Sequence, residues 1–205
     1  MKKMKKEKKI KEEMREKKNN FHWLITDSES TAKRLLGCFL ERKIGNKILK
    51  VKIVETEAYD EEDEASHTFN GKTKRNSAMF LGAGHAYVYF TYGSHFCLNI
   101  VCGKEGYGAG VLIRAVEPVE GEKEMEKNRG VKGKEITNGP GKLCQALKIN
   151  KDLFGHDLSV YPLKLIKNKA VSKDKIIETT RIGISKAKEE KRRFYIKGNI
   201  YVSKL

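Results

Sequence analysis

Closely paired cysteines are missing from this chain of 205 residues, although it has four cysteines. Cys38, Cys97, Cys102 and Cys144 are scattered with no C-x-x-C spacing. Structural zinc sites need close paired ligands, so that spacing argues against one. Four cysteines could form two disulfides, but a chain this long buries a core without them. Reduced, mostly buried thiols are the expectation. Long apolar runs are missing too, and none approaches the length of a membrane span. The basic N-terminus lacks the apolar stretch of a secretory signal. Together these absences predict a soluble, intracellular protein with no membrane partner. It would be cytoplasmic and nucleoid-associated in a bacterium, or nuclear in a eukaryote.

What the chain has in excess is positive charge. Lysine and arginine number 43 against 27 acidic residues, a formal net charge of +16. Such an excess speaks to partners more than to fold, and a polyanion such as nucleic acid is the first inference. The bland alternative is a surface simply rich in solvated lysine. Part of the excess sits in residues 1–20, MKKMKKEKKIKEEMREKKNN, with ten Lys/Arg against four Glu. Too few apolar residues occur there to bury a face, so the segment reads as a basic tail. A single domain over residues 21–205 is expected to follow it.

Within that domain, Asp27 or Ser28 can cap a helix through SESTAKRLLG, with Gly37 near its end. Residues 46–58 alternate apolar and charged side chains, which is strand patterning. Further strands are predicted over 86–90, 96–102 and 110–116, the last ended by Pro118. Residues 119–137 show little periodicity and read as a loop. Gly139–Pro140–Gly141 then opens a helix with Pro in its first turn. Short strands are predicted over 158–166, 182–184 and 194–202. With no internal repeat and no βαβ alternation, a single α+β domain fits.

The chemistry concentrates between Val51 and Pro118, which holds three of the five histidines and five of the eight tyrosines. Glu55 and Glu57 lie two residues apart on a predicted strand, so both side chains share one face with Tyr59. Such carboxylates can do acid and base work on a glycosidic bond, or can simply be a solvated strand face. The acidic run Asp60 to Glu64 beside His67 permits a divalent metal, but consecutive acids cannot all converge on one ion. A mobile acidic surface loop is the alternative. Tyr87 and Tyr89 share a strand face and read equally as core. Tyr92 precedes Gly93 in a predicted turn and would project outward, where an aromatic can wedge into stacked bases. Lys142, after Gly139–Pro140–Gly141, can meet a phosphate at a helix start. Arg181 and the cluster Lys191–Arg192–Arg193 are either phosphate contacts or ordinary surface.

Several motifs occur in one order: VETEAY, DEAxH, RNxxMF, AYVYFTYGxxFCLNI, VLIRAVEP, NGPGKLCQALKIN, TTRIGI and RRFYIKGNIYVS. Over residues 21–205 this order resembles the alkyladenine (3-methyladenine) DNA glycosylase family. The resemblance implies an α+β domain with a curved mixed or antiparallel sheet flanked by helices. A β-hairpin of it would carry a DNA-intercalating tyrosine. It implies a monofunctional, cofactor-free and metal-free enzyme of base excision repair. That enzyme would flip alkylated or deaminated purines out of double-stranded DNA and hydrolyse the N-glycosidic bond, leaving an abasic site. On the matching positions, Glu57 would activate the water, and Arg114 would hold that water and the nucleotide's phosphate. Tyr59, His67 and Tyr89 would enclose the base. Asn99 would oppose the exocyclic amine of guanine, and Tyr92 would fill the gap in the duplex. No obligate protein partner is implied, and a monomer is expected. The competing functions are a non-enzymatic nucleic-acid-binding module and a metal-dependent nuclease built on the acidic run.

Overall fold

The computed structural model describes residues 20–91 and 93–204. Its centre is one long strand, β2 (Lys47–Tyr59), whose second half is buried on both faces. Along one edge β2 pairs with β5 (Gly110–Glu120). Along the other it pairs first with β1 (Phe39–Ile44) and then with β8 (Arg193–Ile196). The sheet continues from β5 to β4 (His95–Val101) and β3 (Ala86–Thr91), from β1 to β6 (Leu163–Ile166), and from β8 to β7 (Ile176–Thr179). All these pairings are antiparallel. Among the described residues the result is a curled eight-stranded sheet carrying three α-helices, an α+β domain.

Helix α1 (Ser28–Leu35) starts where Asp27 accepts the Ser30 amide at 2.7 Å, one of the two N-caps, Asp27 or Ser28, that its sequence offers. It lies against β2, where the Thr56 hydroxyl donates to Ala32 O at 3.1 Å. The main core gathers Leu24, Leu35, Leu40, Val51, Ile53, Leu98, Ile100, Val111, Ile113 and Phe194. A smaller cluster of Met79, Phe80, Tyr87 and Val101 supports Tyr89. All four cysteines are free thiols and buried. Among the described residues no helix is long and apolar enough to cross a membrane.

Several expectations need correction. Residues 119–137 are not a loop: β5 runs on to Glu120, α2 covers Glu122–Arg129, and a 3-10 turn covers Gly133–Ile136. Helix α2 is hard to read because Met125 is its only buried residue. Its ends are nonetheless marked: Gly121 (φ +80°) and Gly130 (φ +71°) bracket it in the left-handed region. Glu122 and Glu124 in its first turn and Lys127 and Arg129 in its last match the helix dipole. Pro118 does not end β5, because it faces Val51 beside a register shift and beyond the reach of β4, where no ladder donor is lost. Strand β1 went unpredicted because its charged sequence, FLERKI, buries one residue, Leu40. Residues 182–184 form no strand; the strand lies earlier, at β7. The predicted strands over 158–166 and 194–202 shrink to β6 and β8.

Candidate active site

One rung of the sheet builds the site. Tyr87 on β3 faces Asn99 on β4, Asn99 faces Leu112 on β5, Leu112 faces Glu57 on β2, and Glu57 faces Arg193 on β8. Side chains two residues away share the same face, which adds Tyr89, Cys97, Arg114, Tyr59 and Glu55. Over this floor lies a cleft of about 470 Å³ lined by Tyr59, His67, Tyr87, Tyr89, Asn99 and Arg114, among others. Gly183 and Ile184, with Lys186, form part of its wall.

Beneath the cleft, behind the residues that line it, Glu57 is fully buried. Its Oε1 accepts the Ile182 backbone N–H at 2.8 Å and lies 3.2 Å from Arg114 Nη1. Its Oε2 accepts the Tyr59 hydroxyl at 2.8 Å. A buried carboxylate needs such partners, and each of these also belongs to the cleft wall. The alternative of a solvated strand face is excluded for both Glu55 and Glu57, which have no exposed surface.

The opposite side is aromatic. His67 meets Tyr89 edge to face at a centroid distance of 4.6 Å, and Tyr87 stacks on Tyr89 at 5.3 Å. His67 Nδ1 and the Tyr87 hydroxyl are hydrogen-bonded at 2.9 Å. A half-open cleft with aromatic walls, a buried carboxylate and an arginine suits a planar ring bonded to a leaving sugar.

The chain is also similar in sequence to a known family and to named proteins. Residues 22–200 match the family described as methylpurine-DNA glycosylase. A protein from Carboxydothermus hydrogenoformans is 50% identical over 175 residues, covering 84% of this chain and 92% of its own. One from Francisella tularensis subsp. tularensis (strain FSC 198) is 51% identical over 179 residues, with the same coverage of each chain. A third, from Methanoculleus marisnigri, is 46% identical over 183 residues, 87% of this chain and 94% of its own. All three are named, provisionally, 3-methyladenine DNA glycosylase. The chain belongs to the methylpurine-DNA glycosylase family. It is thus a DNA glycosylase, a hydrolase acting on N-glycosyl bonds.

The electrostatics of this glycosylase's cleft follow from burial. Burial raises the Tyr59 hydroxyl far above its ordinary pKa, and the Glu57 charge adds to it. Burial likewise raises Tyr89, and pushes Tyr87 up to about 12. All three therefore stay protonated donors. Burial lowers the pKa of His67, and the Arg75 charge works in the same direction, so the imidazole is neutral near pH 7. Burial opposes the charge of Arg114, but Glu57 and Glu55 outweigh it and hold the guanidinium protonated.

The acidic run is not a mobile surface loop. Asp63 and Arg181 form an ion pair with both side chains fully enclosed. Asp60 accepts from Ser28 Oγ and Arg192 Nη1, each at 2.9 Å. Glu61 accepts the Gly108 amide at 2.8 Å. These bonds fix the segment that carries His67, whose carbonyl is held by Asn76 Nδ2 at 2.7 Å. Among the described residues no three His, Cys, Asp or Glu side chains are grouped to hold a metal. Of the run's acids, Asp60, Glu61 and Asp63 are engaged in these structural bonds.

Arg181 also changes task. It is buried on Asp63 and Ala58 O, with its guanidinium carbon 4.7 Å from the Tyr59 ring centroid, so it is closed to a phosphate. Lys142 stays near the surface, its ammonium held by Glu135 at 2.5 Å and Asn138 at 2.8 Å. Tyr92 lies outside the described residues. Sequence reasoning missed Tyr87 as a cleft residue, although its shared face with Tyr89 was the available signal. It also missed Cys97 and Leu112, although each lies two residues from a named site residue on its strand, and Pro140 and Lys186, for which no local signal existed.

Proposed function

We propose that this glycosylase is monofunctional. It would receive an alkylated or deaminated purine flipped from double-stranded DNA and hydrolyse its N-glycosidic bond with a water activated by Glu57. The supporting observation is the position of Glu57, buried under the cleft with Arg114 and Tyr59 as partners. Three of the roughly four acceptor positions of its carboxylate are taken by Ile182, Arg114 and Tyr59. The fourth, on Oε2, is the position proposed for the attacking water, which Glu57 would deprotonate. The carbonyls of the 181–184 segment are the further candidates to orient that water. Arg114 holds the water and the phosphate of the flipped nucleotide, and its positive charge is secured by the two glutamates.

Tyr59, His67 and Tyr89 enclose the base, and a cationic alkylpurine would gain about 1 kcal/mol or more from the aromatic faces. Asn99, whose Nδ2 donates to Tyr87 O at 3.3 Å, would oppose the exocyclic amine of guanine. Tyr92 is the residue proposed to fill the gap in the duplex. Lys142 remains a proposed phosphate contact, and exposed Lys186 and Arg75 beside the cleft are better placed by their freedom from a carboxylate-bound geometry. No active-site lysine is assigned as a nucleophile, so water hydrolysis without strand cleavage is the expected outcome. A monomer acting without cofactor suffices for this chemistry.

The test is Glu57→Gln assayed in EDTA on a duplex with one hypoxanthine. Base release should fall at least a hundredfold while affinity for the lesion duplex holds. Undiminished release in Glu57→Gln would refute the role of Glu57. Loss of wild-type activity in EDTA would favour the metal-dependent alternative.

A further inference from the structure

Glu55 lies two residues before Glu57 on the same face of β2, is fully buried, and does not line the cleft. Its carboxylate nevertheless accepts from four donors on three residues. Its Oε1 accepts from Arg193 Nη1 at 2.8 Å, Ser203 Oγ at 2.9 Å and Arg114 Nε at 3.3 Å. Its Oε2 accepts the Ser203 backbone N–H at 2.6 Å. Arg193 is itself anchored, donating from Nε to Thr180 O and from Nη1 to Lys204 O, each at 2.8 Å. A buried charge needs compensation, but a partner set drawn from β5, β8 and the 203–204 segment is more than neutralisation requires.

The planarity of guanidinium explains what this arrangement does. Arg114 gives Nε to Glu55 and Nη1 to Glu57, so the two carboxylates grip one rigid fork at two points. With Nε fixed, the direction of Nη1 and of the edge facing the cleft is fixed as well. We infer that Glu55 is a positioning residue for Arg114, held in place by Arg193 and the Ser203 segment. That makes the chain segment at 203–204 part of the catalytic apparatus, although it never reaches the cleft. The inference rests on the proposed roles of Glu57 and Arg114 and extends them by one layer of support. A small misplacement of a charge-stabilising group costs rate far more than it costs binding.

The experiment is a double-mutant cycle on the full chain, using single-turnover release of hypoxanthine from a duplex and separate measurement of duplex affinity. Glu55→Gln is expected to slow release on the order of tenfold to a hundredfold with affinity changed less than about twofold. In an Arg114→Lys background the same change should cost less than about twofold, because the fork it positions is gone. Should Glu55→Gln fail to fold, Ser203→Ala keeps the backbone donor and removes only the hydroxyl. It should show a smaller loss with the same dependence on Arg114. Equal losses in both backgrounds, or parallel losses of rate and affinity, would overturn the inference and leave Glu55 a structural residue. Glu57→Gln is the control: if it keeps full activity, the proposed mechanism fails first.

Discussion

Arg181 joins three parts of the site: it pairs with Asp63, bonds Ala58 O, and backs the ring of Tyr59, while the next residue gives its amide to Glu57. Removing one member of an enclosed ion pair leaves an uncompensated charge. Arg181→Met should therefore cost about 3–5 kcal/mol in denaturant unfolding. Arg181→Met combined with Asp63→Leu should recover most of that loss. Recovery of stability without recovery of base release would show that the pair also supports Tyr59. His67 supports a second prediction. Its folded pKa is depressed by burial and then by Arg75, while the unfolded chain takes up a proton near the ordinary value. The unfolded state thus binds more protons in the window from the ordinary His value down to the folded one. Stability should fall as pH drops through that window, and His67→Gln should flatten the slope. An unchanged slope would mean that another group titrates there. At this scale Glu57 and Tyr59 were legible because a period of two aligns their faces, whereas Tyr89 entered only through the family resemblance. Asp63 and Arg181 were not, since they stand 118 residues apart and nothing local links them.

Strand β2 explains why the site forms where it does. Its register with β5 and β8 sets Glu57 opposite both Leu112 and Arg193, and β4 and β3 extend that rung to Tyr87. Helix α1 covers the other face, and its cap is a local feature that sequence alone identified. Asp27→Ala should cost about 1 kcal/mol in thermal or denaturant unfolding, with base release at permissive temperature unchanged. A selective loss of base release would mean that α1 positions β2 more directly than packing implies. Helix α2 and strand β1 escaped sequence reading because each buries a single residue, leaving no period to detect. The 182–184 segment was mistaken for a strand because Ile182–Gly183–Ile184 imitates alternation. Gly183 in fact turns there at φ +77°, beside the amide that Ile182 gives to Glu57.

Across the whole molecule the excess charge of +16 is proposed to serve the encounter with DNA rather than the chemistry. Replacing the ten Lys/Arg of residues 1–20 with Gln should weaken duplex binding and shallow its salt dependence. Single-turnover release at saturating duplex should stay the same. A fall in that rate would place the tail in the reaction itself. Hydrolysis by a Glu57-activated water is the central claim, and one assay reaches it most directly. Two duplexes, one with hypoxanthine and one with an alkylated purine, are incubated with protein in EDTA, and half of each sample is then treated with hot alkali. Strand cleavage seen only after alkali, and lost in Glu57→Gln, is the predicted result. Cleavage without alkali would contradict it, because the strand would then be cut by a lyase or nuclease rather than left intact at an abasic site.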